Sequence, residues 1–384
     1  MPDLADPRVP AITGQNASVL LEGWKKLAAA GAAPREHMFF EKHLKQCLGC
    51  GYCNFGCKYD RRLTMLETYL PKASQHGARI ILGSQARKIE KSGKKAKKVV
   101  CERWNGDKFK VEAKSIVISA GAIASSLLLM QSGIRVVRRG KDLVGQRFSF
   151  NVGTPAFALF PDRAIDAYNE AQMGAYVGSN DGKTTGGYLL ESHFEPPGTF
   201  AASMPGWFGT HAERLKDFRH WASAGVLVRS EPNASVVRDE AIRNLVGPVE
   251  YDMTDKDFNT MKTGIANLAK IWFAAGAEKV LPAAYKDFEL LASRFKDAPI
   301  DDIKGELDRC LTSPDQLTLS SAHPQGGNAM SDKQNIGVLD SSFRVKGLDN
   351  LFVCDASVFP SSVGVNPVMT IMAMADYFTT LDVV

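Results

Sequence analysis

The stretch Ser115-Ile116-Val117-Ile118-Ser119-Ala120-Gly121-Ala122-Ile123-Ala124-Ser125-Ser126-Leu127-Leu128-Leu129-Met130 decides the fold. Its opening is short and β-branched, as expected of a buried strand. Ala120-Gly121-Ala122 then supplies a turn of small residues, and a leucine-rich helix follows. Strand, small-residue turn and helix in that order put a helix N-terminus at the carboxyl edge of a sheet, where phosphates and polar cofactor edges bind. A related pattern recurs near the end of the chain. Asn350 to Cys354 reads as a short buried strand, Asp355-Ala356-Ser357 as a turn, and a helix begins near Pro367. Proline suits the first helical position, because its missing N–H costs nothing there.

Working outward, residues 18–30 read as a helix capped by Ser18 and stopped by Gly31, and Leu63 to Gln75 as a second helix ended by Gly77. Arg79 to Leu82, Lys98 to Trp104 and Lys108 to Glu112 read as strands, the last two joined by the type I′ hairpin signal Asn105-Gly106. From about Gly153 the character changes. Aromatic-bearing strand candidates (Phe157 to Phe160, Gly187 to Leu190, Ala224 to Val228) accompany a helix over Asn259 to Ala274, closed by Gly276. The expected fold is α/β, α+β overall, in two lobes. Residues 1–150, with a cysteine-rich loop at 47–57 and a β-meander at 79–119, and residues 319–384 form one lobe, an incomplete Rossmann-like domain. Residues 151–318 form the other around an antiparallel sheet.

Composition bounds the function. Over 384 residues, 45% hydrophobic and 23% charged content are those of a soluble globular chain. The net charge of +5 comes largely from Arg87 to Lys98, with six lysines, one arginine and no aromatic residue. That pattern suits a solvated hairpin, not a nucleic-acid platform, which interleaves aromatics with basic residues. No apolar run is long enough to be a transmembrane segment; the nearest, Ile116 to Met130, is broken by Ser119, Gly121, Ser125 and Ser126. Asp3, Asp6 and the prolines at 2, 7 and 10 do not suit a signal peptide, so a cytoplasmic location is expected unless a partner subunit carries an export signal. Of seven cysteines, four follow the spacing Cys47-x2-Cys50-x2-Cys53-x3-Cys57, with Gly49, Gly51 and Gly56 between them. This is the bacterial ferredoxin spacing, apart from Lys58 where proline usually follows. It points to an iron–sulfur cluster, 4Fe-4S or 3Fe-4S, with a zinc site, a redox-active pair or a structural remnant as alternatives.

The longest motif runs Ser321-Ala322-His323-Pro324-Gln325-Gly326-Gly327-Asn328-Ala329-Met330. It continues as Gly347-Leu348-Asp349-Asn350-Leu351-Phe352-Val353-Cys354-Asp355-Ala356-Ser357 and as Asn366-Pro367-Val368-Met369-Thr370. This resembles the carboxy-terminal signature of the glucose–methanol–choline (GMC) oxidoreductases. Gly121 to Ile134 resembles that family's second signature until Arg135, where glycine is usual. The cysteine loop resembles the branch that includes long-chain-alcohol and sterol oxidases and dehydrogenases. The three motifs stand in family order from about Gly14 to Leu381.

The resemblance implies an FAD-dependent oxidation of an alcohol to a carbonyl, with hydride passing to flavin N5. The hydroxyl then needs a group that takes its proton near neutral pH, for which histidine is suited. By resemblance His323 is that acid/base and Asn366 orients the hydroxyl. Ser119, Ala120, Gly121 and Ala122 are implied cofactor contacts, as are Asp355, Ala356, Pro367 and Thr370, with a flavin expected between Gly121 and Asp355. Phe157, Phe160, Phe194, Phe200, Trp207 and Phe208 lean towards a bulky or hydrophobic alcohol. Asn151 departs from the family, whose members usually carry histidine there. No G-x-G-x-x-G turn occurs, nor a following acidic residue for a ribose. A second polypeptide carrying that dinucleotide-binding unit is therefore expected as partner. Two other classes stay open: a non-catalytic scaffold subunit, and an electron-transfer module built on the cysteines.

Overall fold

A computed structural model describes residues 8–31, 36–39, 43–50, 52–170, 173–178, 187–333 and 336–381. Pro2 to Pro7, which bear on the signal-peptide reading, and Gly51 of the cysteine loop lie outside the described residues. The fold mixes helices with largely antiparallel sheets, and the chain divides into two compact units.

Unit one holds residues 1–79, 152–228 and 255–320. Its sheet has seven strands in the order Glu36–Phe39, Ala175–Gly178, Tyr188–Ser192, Trp221–Arg229, Asn151–Leu159, Lys279–Pro282 and Leu290–Leu291. The pairings Glu36↔Gly178, Tyr176↔Glu191, Leu190↔Val226, Leu281↔Phe157 and Val280↔Leu290 are all antiparallel. The helix Asp255–Ala275 buries Ile265, Leu268, Ile271 and Trp272, and the helix Arg8–Ala29 packs on it. That approach is close. A Cβ at Gly23 would stand 1.9 Å from the Ile271 carbonyl oxygen, so only glycine fits. This packing carries residues 1–79 into unit one, whereas the sequence reading drew its first boundary at 150. Gly14 also breaks the first helix, with φ 62° and ψ 177°, and the Ser18 hydroxyl donates back to the Gly14 carbonyl at 2.7 Å. Ser18 is therefore a residue within the helix and not its cap.

Phe157, Phe160, Phe194 and Phe200 are buried, with Phe157 and Phe200 in a core cluster beside Trp221, whereas Trp207 and Phe208 are exposed. Leu63 to Gln75 is helical only over Tyr69–Gln75, because Glu67 accepts from the Thr64 N–H at 3.0 Å and closes a local turn first. On the strand Tyr188–Ser192, Glu191 is fully buried opposite Gly225, which offers no side chain to pair with it. Neither Glu191 oxygen has a hydrogen-bond partner among the described residues, and burial pushes the carboxyl up to about 8.

Unit two holds residues 80–151, 229–254 and 321–384. Its parallel pair joins Ile116–Ile118 to Leu351–Val353, in the register Leu351↔Ile116 and Val353↔Ile118. Asn350 staples the meander to this pair. Its side chain accepts the Ala96 N–H at 2.9 Å and donates to the carbonyls of Ala96 at 2.9 Å and Lys114 at 2.6 Å. The meander runs Ser84–Ser92, Lys95–Arg103 and Lys108–Glu112, so the basic stretch forms two paired strands and the turn between them. Arg79 to Leu82 is not a strand; Ile80 and Ile81 are exposed and Leu82 is 84% exposed, with no strand beside them among the described residues. Leu129, Val144, Phe148, Phe343, Phe352 and Val353 centre the core.

Candidate active site

Because Ile116–Ile118 and Leu351–Val353 are adjacent and parallel, the turns leaving their carboxyl ends lie side by side. The Cys354 N–H donates to the Ile118 carbonyl at 2.9 Å, carrying the pairing one step further. Asp355 follows. Its Oδ2 accepts the Gly121 N–H at 2.9 Å and the Ser125 hydroxyl at 2.5 Å, and its Oδ1 accepts the Ser357 N–H at 2.8 Å. The Ser125 Oγ in turn accepts the Ala120 N–H at 3.0 Å. The carboxylate thus occupies the start of the helix Ala122–Gln131, where unpaired N–H groups and the helix dipole favour negative charge. A phosphate would meet a carboxylate there. The flavin expected between Gly121 and Asp355 is replaced by a direct bond between them. Ser119 and Ala120 are exposed beside it, Gly121 is half-buried, and Ala122 and Ala356 are buried.

The second cluster gathers around His323. The strand Gln325–Gly327 pairs with Gln146–Ser149, and Gly326 sits at φ +80°, where a Cβ would come 2.3 Å from the Arg147 carbonyl oxygen. The Gly326 of the His-Pro-Gln-Gly-Gly motif is therefore what lets His323 and Asn151 emerge together from the ends of this pair. His323 is buried, which lowers its imidazole below the usual value. Its N–H donates to the Ser321 Oγ at 3.1 Å, its carbonyl accepts Gln325 Nε2 at 3.3 Å, and Gln325 Oε1 accepts the Val363 N–H at 3.0 Å. Asn151 bridges the parts. Its Nδ2 lies 3.4 Å from His323 Nδ1 and donates to the Val365 carbonyl at 2.7 Å, while its Oδ1 accepts the Ser362 hydroxyl.

Asn366 follows Val365, and Pro367 opens the helix Val368–Thr379, with the Ile371 N–H donating to the Pro367 carbonyl at 2.9 Å. Pro367 stands at the N-cap position, and among the described residues it has no side-chain cap bond. Thr370 is half-buried on the first turn, and Val368 and Met369 are 50% and 59% exposed beside it. The structure thus brings Asn366, Pro367 and Thr370 into one unit with His323. Asn151 was visible in the sequence only as a family departure; its contacts with His323 and Val365 mark it as part of the site.

The cysteines do not converge. Among the described residues no three His, Cys, Asp or Glu side chains are placed to hold a metal ion, so Cys47, Cys50, Cys53 and Cys57 form no ligand set. Local turns claim two of the sulfurs: Cys47 Sγ accepts the Gly49 N–H at 3.4 Å, and Cys57 Sγ the Arg61 N–H at 3.2 Å. The Arg61 N–H, with those of Tyr59 and Arg62, holds the Cys57 thiol below its ordinary range.

A flavin ring edge fits part of this arrangement. The uncapped helix N-terminus at Pro367, the exposed Val368 and Met369, and the space above Gly121, where a Cβ would meet nothing within 4 Å, suit a flat, partly apolar ring. The dinucleotide half does not fit, since the remaining strand–turn–helix is closed by Asp355.

Comparison with known proteins places the chain in a family. The amino-terminal and carboxy-terminal GMC oxidoreductase family models match residues 9–152 and 237–375, together more than half of the chain. An uncharacterized GMC-type oxidoreductase of Mycobacterium tuberculosis is 28% identical over 366 residues, covering 95% of this chain and 54% of that protein. A long-chain-alcohol oxidase of Arabidopsis thaliana is 28% identical, covering 86% and 46%. The chain spans about half the length of the curated relatives it matches. The Aspergillus oryzae formate oxidase structure superposes with a TM-score of 0.65 at 15% identity, over 96% of this chain and 70% of that one, a likeness of fold. With its signatures in order and both family models matched, the chain belongs to the GMC oxidoreductase family.

Proposed function

We propose that the chain supplies the hydroxyl-handling centre and the flavin-edge contacts of an FAD-dependent alcohol oxidoreductase. One observation carries this reading: Asn151 ties a buried histidine, His323, to the loop of Asn366 at the start of an uncapped helix. Bound FAD would supply the hydride acceptor. His323 handles the hydroxyl proton, its burial keeping the ring neutral near pH 7. Asn366 orients the hydroxyl without competing for that proton. The helix N-terminus at Pro367 places positive potential where the ring edge would gain charge. The substrate class is an alcohol, consistent with the long-chain-alcohol oxidases among the relatives. The cysteine loop carries no step.

The dinucleotide half of FAD needs a glycine-rich βαβ unit supplied by further polypeptide, on this chain or on a second one. The open two-stranded parallel sheet and the exposed Ile80, Ile81 and Leu82 offer it an edge. The test is anaerobic stopped-flow reduction of the flavin-loaded protein by an alcohol. His323→Ala is expected to slow reduction by roughly 10²–10⁴-fold, and an unchanged rate would sink the assignment. Co-expression with a G-x-G-x-x-G-bearing partner should yield a yellow complex; stoichiometric FAD on residues 1–384 alone would remove the need for one.

A further inference from the structure

We propose that Asn151 is a positioning residue that holds His323 at rest with its ring proton on Nε2. The inference rests on the reading of His323 as the proton-handling group. Asn151 Nδ2 stands 2.7 Å from the Val365 carbonyl oxygen, and Oδ1 accepts the Ser362 hydroxyl. Turning the amide over would set two oxygens, Oδ1 and the Val365 carbonyl, at hydrogen-bond distance with no proton between them. The amide is therefore held with its nitrogen towards Val365. A primary amide nitrogen has two N–H groups and no lone pair to offer. One N–H goes to Val365, and the other faces His323 Nδ1 at 3.4 Å. Nδ1 must then be the acceptor, and a neutral imidazole with Nδ1 as acceptor carries its proton on Nε2.

The consequence for proton handling is specific. Nε2 at rest is a donor, able to hold a substrate oxygen by donation. Before Nε2 can receive a hydroxyl proton, or when the ring becomes imidazolium, a proton must lie on Nδ1, pointing at the Asn151 N–H. Either form requires the amide to let go of the ring or to turn against Val365. Asn151 thus opposes the charged ring, in the same direction as burial. Charged side chains on the adjoining elements include Arg229, whose Nε donates to the Ser362 carbonyl at 2.8 Å, Arg147, whose Nη2 donates to the Pro360 carbonyl at 3.3 Å, and Glu231, which follows the Ser230 that bonds Phe150. The two arginines are cations, and neither offers the ring an acceptor. Histidine at position 151, usual in the family, could accept a proton from Nδ1; the amide as held here cannot.

The experiment is ¹⁵N NMR of the full chain labelled at histidine, with the His323 signals assigned by their loss in His323→Gln. The expected wild-type spectrum at neutral pH shows His323 Nδ1 as an unprotonated ring nitrogen and Nε2 as a protonated one. Asn151→Asp places an acceptor beside the ring and should move the proton to Nδ1. It should also shift the rise of alcohol-driven flavin reduction to higher pH, because the carboxylate stabilises the charged ring and a neutral ring is reached later. Asn151→Leu, which needs no buried charge, should leave a mixture of the two tautomers. A wild-type Nδ1 that carries the proton, or a tautomer unchanged in Asn151→Leu, overturns the proposal even if Asn151→Asp fails to fold. The NMR readout needs no turnover. Activity surviving His323→Ala would defeat the functional reading, whereas a wrong tautomer defeats this one.

Discussion

Glu191→Gln should change the pH dependence of stability in a way fixed by one buried carboxyl. Glu191 lies fully buried on its strand, and burial raises it from 4.5 to about 8. A carboxyl that is harder to ionise in the folded state than in the unfolded chain contributes fully below pH 4.5. That contribution is lost as pH rises towards about 8, and the curve then levels. At about 1.4 kcal/mol per pH unit, the gap between 4.5 and about 8 amounts to about 5 kcal/mol. Glutamine has nearly the same shape and does not titrate. Its buried amide adds an unsatisfied polar group at a cost of about 1–3 kcal/mol, independent of pH. The difference in stability between variant and wild type should therefore grow in the variant's favour by about 1.4 kcal/mol for each pH unit between 4.5 and about 8. Urea unfolding followed by tryptophan fluorescence reads this, since Trp221 and Trp272 are buried in the same unit. His193, held at about 4 by burial, and Glu195, raised to about 7, titrate in both proteins. A difference that stays flat across this range would refute the reasoning, and would mean that Glu191 finds water or a partner.

Asp355→Ala removes the acceptor of three hydrogen bonds at the paired turns and should cost about 3–5 kcal/mol in urea unfolding; a loss below about 1 kcal/mol would show that the carboxylate is not the clamp. Gly23→Ala should destabilise by about 1–3 kcal/mol, despite alanine's better helix propensity, because its Cβ meets the Ile271 carbonyl. A gain in melting temperature would contradict that packing.

The parts of this protein that could be read from sequence are those in which one local rule decides. Ile116–Ile118 and Leu351–Val353 are short runs of apolar residues beside a small-residue turn and Asp355, and both are strands. Asn105-Gly106 joins two strands of the meander, and Gly276 ends the long helix of unit one. What could not be read depends on partners distant in the chain. Helix Arg8–Ala29 joins unit one because Gly23 admits Ile271, a contact with no local signature. Arg79 to Leu82 has the composition of a strand but no neighbour to pair with among the described residues. The ferredoxin spacing counts residues but says nothing of where the sulfurs point, and two of them turn to nearby N–H groups. At the candidate site, motif resemblance names His323 and Asn366, whereas the contacts of Asn151 needed the position of the Val365 carbonyl.

The bond between Gly121 and Asp355 also sets a timetable. These residues are 234 positions apart, and unit two is assembled from three separate stretches of chain. During synthesis the strand Ile116–Ile118 and the start of the helix Ala122–Gln131 leave the ribosome long before either the strand or the carboxylate that completes them. At roughly 5–20 residues per second, the wait lasts on the order of ten seconds or more. Over that interval the helix start has no anion and the strand no parallel neighbour, while the segment 152–228 and the helix Asp255–Ala275 can already build unit one. A chain broken off before residue 355 would thus lack the carboxylate and the parallel partner that close the paired turns of unit two.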